Sequence, residues 1–104
     1  MNKQIENDYY IELIENCAIE WYSSPYRSMP KELAHVCIVK QHTVKMLIDY
    51  IYRHNTMNIM DILQMYRHWM VIGRRRAKLE DDRRNFEISI DVMDDMIDVI
   101  SSSL

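Results

Sequence analysis

Residues Asn58 to Leu79 read NIMDILQMYRHWMVIGRRRAKL, and the reading of this stretch decides the fold. Ile59, Ile62, Leu63 and Tyr66 recur at steps of three and four residues, which places them on one helical face. Asn58 is positioned to cap that helix, and Asp61 in its first turn complements the positive end of the dipole. Trp69, Ile72 and Leu79 again fall at helical spacing, with Val71 beside them, so that Arg74, Arg75 and Lys78 point elsewhere. We expect a turn near Arg67 and His68, dividing the stretch into two short amphipathic helices, the second of them basic. Such a pair is what a helix-turn-helix needs to enter a major groove. Thr43 to His54, with Val44, Leu47, Ile48 and Ile51 in register, supplies a supporting helix ahead of it.

The composition points the same way. One glycine and two prolines in 104 residues leave few turns, while Leu, Ile, Met, Lys, Arg and Glu are plentiful, so the expected class is all-α. We expect a single domain over residues 1–104, of four to five helices. Its parts are an acidic N-terminal helix over 3–22, a basic helical core over 28–84 and an acidic C-terminal segment over 86–100. A chain of this length buries only about two-thirds of its unfolded surface, so a homodimer is expected to help it.

The net charge of −3 conceals a strong segregation. Residues 1–24 carry one lysine against five acids, a net of −4; residues 25–79 carry ten lysines and arginines against three acids, a net of +7; residues 80–104 carry two arginines against eight acids, a net of −6. A basic middle between acidic ends suits a polyanion-binding core. The acidic helix 1 and the Asp91, Asp94, Asp95 and Asp98 series would then mimic nucleic acid, shield the core, or serve solubility alone.

Cys17 and Cys37 stand without CxxC spacing, which suggests a reducing compartment and a cytoplasmic protein. MNKQIENDYY lacks the apolar run of a signal peptide, and no window approaches the roughly 18 apolar residues of a membrane span.

Along the chain, Ile5, Tyr9, Leu13, Cys17 and Trp21 step by four, with Tyr10 and Ile14 on the shoulder, and predict the inward face of helix 1. SSPYRSMP then breaks the helix, because Pro25 and Pro30 remove donors and restrict the residues before them. Ser28 is a candidate cap for a helical region running to His54, either one long helix or two split near His42. Asn55 to Asn58 forms the next turn. In NFEISIDVMDDMIDVI, Phe86, Ile88, Ile90 and Val92 alternate as in a strand, yet Phe86, Ile90, Met93, Ile97 and Ile100 fit one helix face. We expect helix from about Asp91 or earlier, with a short strand over 86–92 as the alternative.

Catalytic signatures are missing from the sequence. No HxxxH or HExxH pair links His35, His42, His54 and His68, and a single glycine, Gly73, allows no phosphate-cradling loop. There is no GxSxG elbow. The expectation is a non-enzymatic chain with no cofactor and no metal. The arginine run has two readings, phosphate contact or a solvated face held by Arg76 with Glu80, Glu80 with Arg84, and Lys78 with Asp82. Each such pair contributes about 0.2–0.5 kcal/mol. Arg74 and Arg75, however, have no acid four residues downstream. Gly73 costs about 1 kcal/mol inside a helix, which a close approach or a break between helices would explain. Met46, Met60 and Met65 read as core filler, and Tyr50, Tyr52 and Tyr66 as core or as base-stacking rings.

Residues 42–79, HTVKMLIDYIYRHNTMNIMDILQMYRHWMVIGRRRAKL, resemble the support helix and helix-turn-helix of small bacterial transcription regulators. They are similar to the regulators of fimbrial adhesin operons, which are of comparable length and have a DY pair, here Asp49 and Tyr50, before the turn. The resemblance covers about a third of the chain, and this chain departs from it in having Arg67 and His68 where a turn glycine is usual. It implies duplex DNA binding as an oligomer. On this reading Arg74, Arg75 and Lys78 contact phosphates and base edges, with Arg67 and Arg76 flanking them. The rival reading is a phage- or plasmid-type adaptor or inhibitor that docks on a host protein through helical faces and does not bind nucleic acid.

Overall fold

The helix ends follow from local chemistry. The computed structural model describes residues 3–23 and 29–104, and these form α1 (Lys3–Tyr22), α2 (Lys31–Arg53), α3 (Ile59–Arg76) and α4 (Glu80–Ser103). The class is all-α, with no strand among the described residues. Asn58 caps α3 as expected, its side chain accepting from Met60 N at 2.9 Å. Pro30, in extended backbone, precedes α2, where its missing N–H costs nothing. The Ser28 cap and most of the SSPYRSMP linker lie outside the described residues.

Cross-contacts give the order of the helices. Gln41 Nε2 donates to Tyr22 O at 2.8 Å, and Asn7 Nδ2 reaches Asn55 O at 3.5 Å at the opposite end, so α1 and α2 run antiparallel. Arg67 with Asp94 and Gly73 beside Phe86 make α3 and α4 antiparallel. His35 with Asn85 and Thr43 with Ser89 make α2 and α4 parallel. The four helices therefore alternate in direction as an up-down-up-down bundle. α1 packs on α2 and α4, while the most extensive packing is between α3 and α4. One core draws on all four helices, with Ile14, Leu47, Ile51, Ile62, Leu63, Val92, Met93, Met96 and Ile100 fully buried.

Several expectations are corrected. The turn at Arg67 and His68 does not form, so the two-helix unit expected of a helix-turn-helix is one continuous helix, Ile59–Arg76. Nothing between Ile59 and Ile72 removes a donor or frees the backbone, so the hydrogen-bond ladder runs on. The break falls at Ala77 to Leu79, where the backbone is extended. Three arginines there end α3 and three acids begin α4, each matching its helix dipole. Arg83 Nη2 donates to Ala77 O at 3.3 Å and ties the turn to α4. Arg76 and Glu80 consequently belong to different helices and form no helical pair.

The alternative strand over 86–92 is α-helix. Ile88, Ile90 and Val92 are all buried because α4 packs against each of the other three helices. A wide buried arc on a helix mimics alternation. The inward face of α1 is Asn7, Ile11, Ile14 and Tyr22, whereas Ile5, Tyr9 and Trp21 are exposed. Residues stepping by four advance about 40° per step on a helix of 3.6 residues per turn, so the predicted stripe winds away from the core.

α2 is a single helix, and its polar interruption is absorbed by neighbours. Lys40 Nζ lies 5.2 Å over the Tyr22 ring, Gln41 binds Tyr22 O, and Thr43 Oγ1 donates to Val39 O at 2.8 Å. His42 faces solvent.

Candidate interaction surface

The predicted basic residues separate into two groups. Arg67 is committed to α4, its Nε donating to Asp94 Oδ1 at 2.6 Å. Arg74, Arg75, Arg76 and Lys78 lie together at the α3–α4 turn, all exposed. Among the described residues none of these four has a carboxylate within ion-pair distance. Their own helix explains part of the arrangement, since cations in a last turn stabilise its negative end by about 0.3–1 kcal/mol each.

α2 and α3 meet over a short stretch, where the Tyr50 and Tyr66 rings lie 4.9 Å apart between centroids. Burial, then Tyr50 and Asp49, raise the Tyr66 pKa. Val39, His42 and Met46 fall at helical spacing from Tyr50 on α2, and Trp69, Gly73 and Arg76 at helical spacing from Tyr66 on α3. Phe86 of α4 lies against Gly73. Between α2 and α4, Ile38, Val39, His42, Thr43, Asp82, Asn85, Phe86 and Ser89 line a cavity of about 410 Å³. Trp69 is 52% exposed, Met46 43% and Ile38 53%.

The spacing predicts Trp69 and Leu79 inward and Met46 in the core. All three are exposed. Ile38, Val39 and His42 were not singled out as a surface. The available signal was a second apolar row on α2, Val39, Met46 and Tyr50, running beside the buried row of Val44, Leu47 and Ile51. Gly73 lies within α3 at negative φ and serves the close approach of α4.

Other polar groups have structural partners. Tyr22 Oη donates to Asp95 Oδ2 at 2.9 Å, and His35 Nε2 lies 3.0 Å from Asn85 Oδ1. A polar cleft of about 660 Å³ beside His35 is lined by Lys31, Glu32, Asp81 and Arg84, charges of both signs. Among the described residues no three His, Cys, Asp or Glu side chains converge as a metal site, and no helix is long and apolar enough to cross a membrane. Comparison with protein-family models, curated proteins and solved structures returns no match.

Proposed function

We propose that this chain is a protein-binding module, an adaptor or inhibitor that docks on a partner protein through its exposed helical faces. The observation that carries the reading is Trp69, a large aromatic ring left half-exposed on α3. Tryptophan is one of the residues enriched among binding hot spots, and docking through an amphipathic helix face is a recurrent mode of recognition. The test is affinity capture with three baits of equal stability: wild type, Trp69→Ala and Trp21→Ala. A partner held by wild type and Trp21→Ala but lost from Trp69→Ala supports the reading. A partner indifferent to Trp69 overturns it.

A second reading, a dimeric DNA-binding regulator, is favoured by one observation. Four exposed cations at the α3–α4 turn have no carboxylate partner among the described residues. With α3 continuous, contact would be made by the end of one basic helix, Arg74, Arg75, Arg76 and Lys78, against phosphates. Removing one phosphate contact by Arg75→Ala should shallow the slope of log affinity against log salt by about 0.9. An unchanged slope would exclude that role for Arg75.

A further inference from the structure

We propose that the α3–α4 turn is a docking tip for an anionic lipid bilayer, with Leu79 entering the interface and the cations beside it meeting the headgroups. The proposal goes beyond the protein-binding reading and rests on residues other than Trp69. Leu79 is 66% exposed and so adds nothing to the core. It occupies the N-cap of α4 in extended backbone, with no side-chain bond to the helix, a position where Ser, Thr, Asp or Asn is favoured and leucine is not.

A single exposed leucine is ordinary on a protein surface; the surroundings of this one are not. Arg74, Arg75, Arg76 and Lys78 lead up to it, all exposed and, among the described residues, with no carboxylate at ion-pair distance. From Arg74 to Arg84 six cations stand against Glu80, Asp81 and Asp82, a net of +3. Those three acids form the first turn of α4, where the helix dipole holds them. The next acid along α4, Glu87, stands about 12 Å from Leu79, and the aspartates from Asp91 onward stand about 18 Å away or more.

The acidic α1 does not reach this end of the bundle. Tyr22, its last residue, meets Gln41, and α2 runs on from there back to Lys31. Because α2 and α4 are parallel, the α2 N-terminus lies at the same end as Leu79 and brings a second exposed leucine, Leu33. A bilayer suits both features of the tip at once. Its headgroups attract each cation, and its interior takes an apolar side chain without needing a pocket to receive it. A DNA duplex would engage the arginines through phosphates alone. Docking of this kind lies on a membrane and does not span it.

In the experiment, full-length protein is sedimented with vesicles of phosphatidylcholine alone and of phosphatidylcholine and phosphatidylserine in equal parts, and titrated in parallel with a mixed-sequence duplex. We expect binding to the mixed vesicles only, weakening as salt rises. Arg75→Gln with Arg76→Gln should weaken it about 25-fold, each charge near such a surface contributing about fivefold. Leu79→Ser should weaken it about tenfold while the melting temperature holds or rises, since serine caps a helix and leucine does not. Leu104→Ser, at the other end of α4 and 69% exposed, should change nothing. Vesicle binding of full strength in Leu79→Ser, or equally weakened in Leu104→Ser, overturns insertion at this tip. Absence of vesicle binding, or equal binding to phosphatidylcholine alone, overturns the proposal. Binding to the duplex without binding to vesicles assigns the cations to nucleic acid and does likewise.

Discussion

Gly73 of α3 and Phe86 of α4 are fitted to each other. A Cβ at position 73 would stand 2.6 Å from Phe86 Cζ, closer than carbon atoms approach, so the glycine is there for space. Its φ is negative, and no conformational demand enters. Gly73→Ala thus sets two effects in opposition: a gain of about 1 kcal/mol in helix propensity and an overpacking cost of about 1–3 kcal/mol. We predict a net loss of stability in the presence of Phe86 and a net gain in a Phe86→Ala background. Urea unfolding of the four proteins checks the reversal of sign.

Thr43 and Ser89 hold α2 to α4 through a buried hydroxyl pair at 2.8 Å. Thr43 donates its proton to Val39 O, so Ser89 must donate to Thr43. Thr43→Val keeps the shape but leaves the Ser89 hydroxyl without its acceptor, costing about 1–3 kcal/mol. Adding Ser89→Ala should recover most of that loss. A double variant no more stable than Thr43→Val alone would refute the arrangement.

The core and the ion pair between α3 and α4 differ in weight. Leu63 and Met96 are fully buried, and truncating either to alanine should cost about 2–5 kcal/mol. Arg67 and Asp94 are partly exposed, so Arg67→Ala should cost under about 1 kcal/mol, falling further in high salt. Thermal melts at low and high ionic strength separate the two cases.

Much of this fold was legible in the residues. The rows Ile59, Ile62, Leu63 and Val44, Leu47, Ile51 are buried as their spacing required, and Asn58 caps α3. What could not be read was which of two apolar rows a helix turns inward. In α1 the buried row includes Asn7, whose amide reaches the Asn55 carbonyl in a distant turn, a partner that local spacing does not reveal. The exposure of Trp69 was hidden for the same reason: it has core chemistry, and only the packing of the helices leaves it half open. The exposed arginines were visible as a run, but the departure of Arg67 to Asp94 depended on packing of α4.

The buried phenols make stability depend on alkaline pH. Burial foremost, then the hydrogen bond to Asp95 and the charge of that carboxylate, hold the Tyr22 pKa far above its ordinary value of 10. Tyr66 is raised by burial with Tyr50 and Asp49, and Cys17 by burial with Glu20. In the unfolded chain a tyrosine loses its proton near pH 10, while Tyr22 in the fold keeps it. Above that pH the unfolded state binds fewer protons, so stability declines as pH rises. The contribution is present in full below about pH 10 and is lost on going up through the raised native value. Tyr22→Phe cannot ionise. It should lower stability at neutral pH by about 0.5–1.5 kcal/mol for the lost bond to Asp95, yet give a shallower decline above pH 10 than wild type. Urea midpoints measured at intervals from pH 7 to about 11 read both effects, and parallel alkaline limbs for the two proteins would remove Tyr22 as the source.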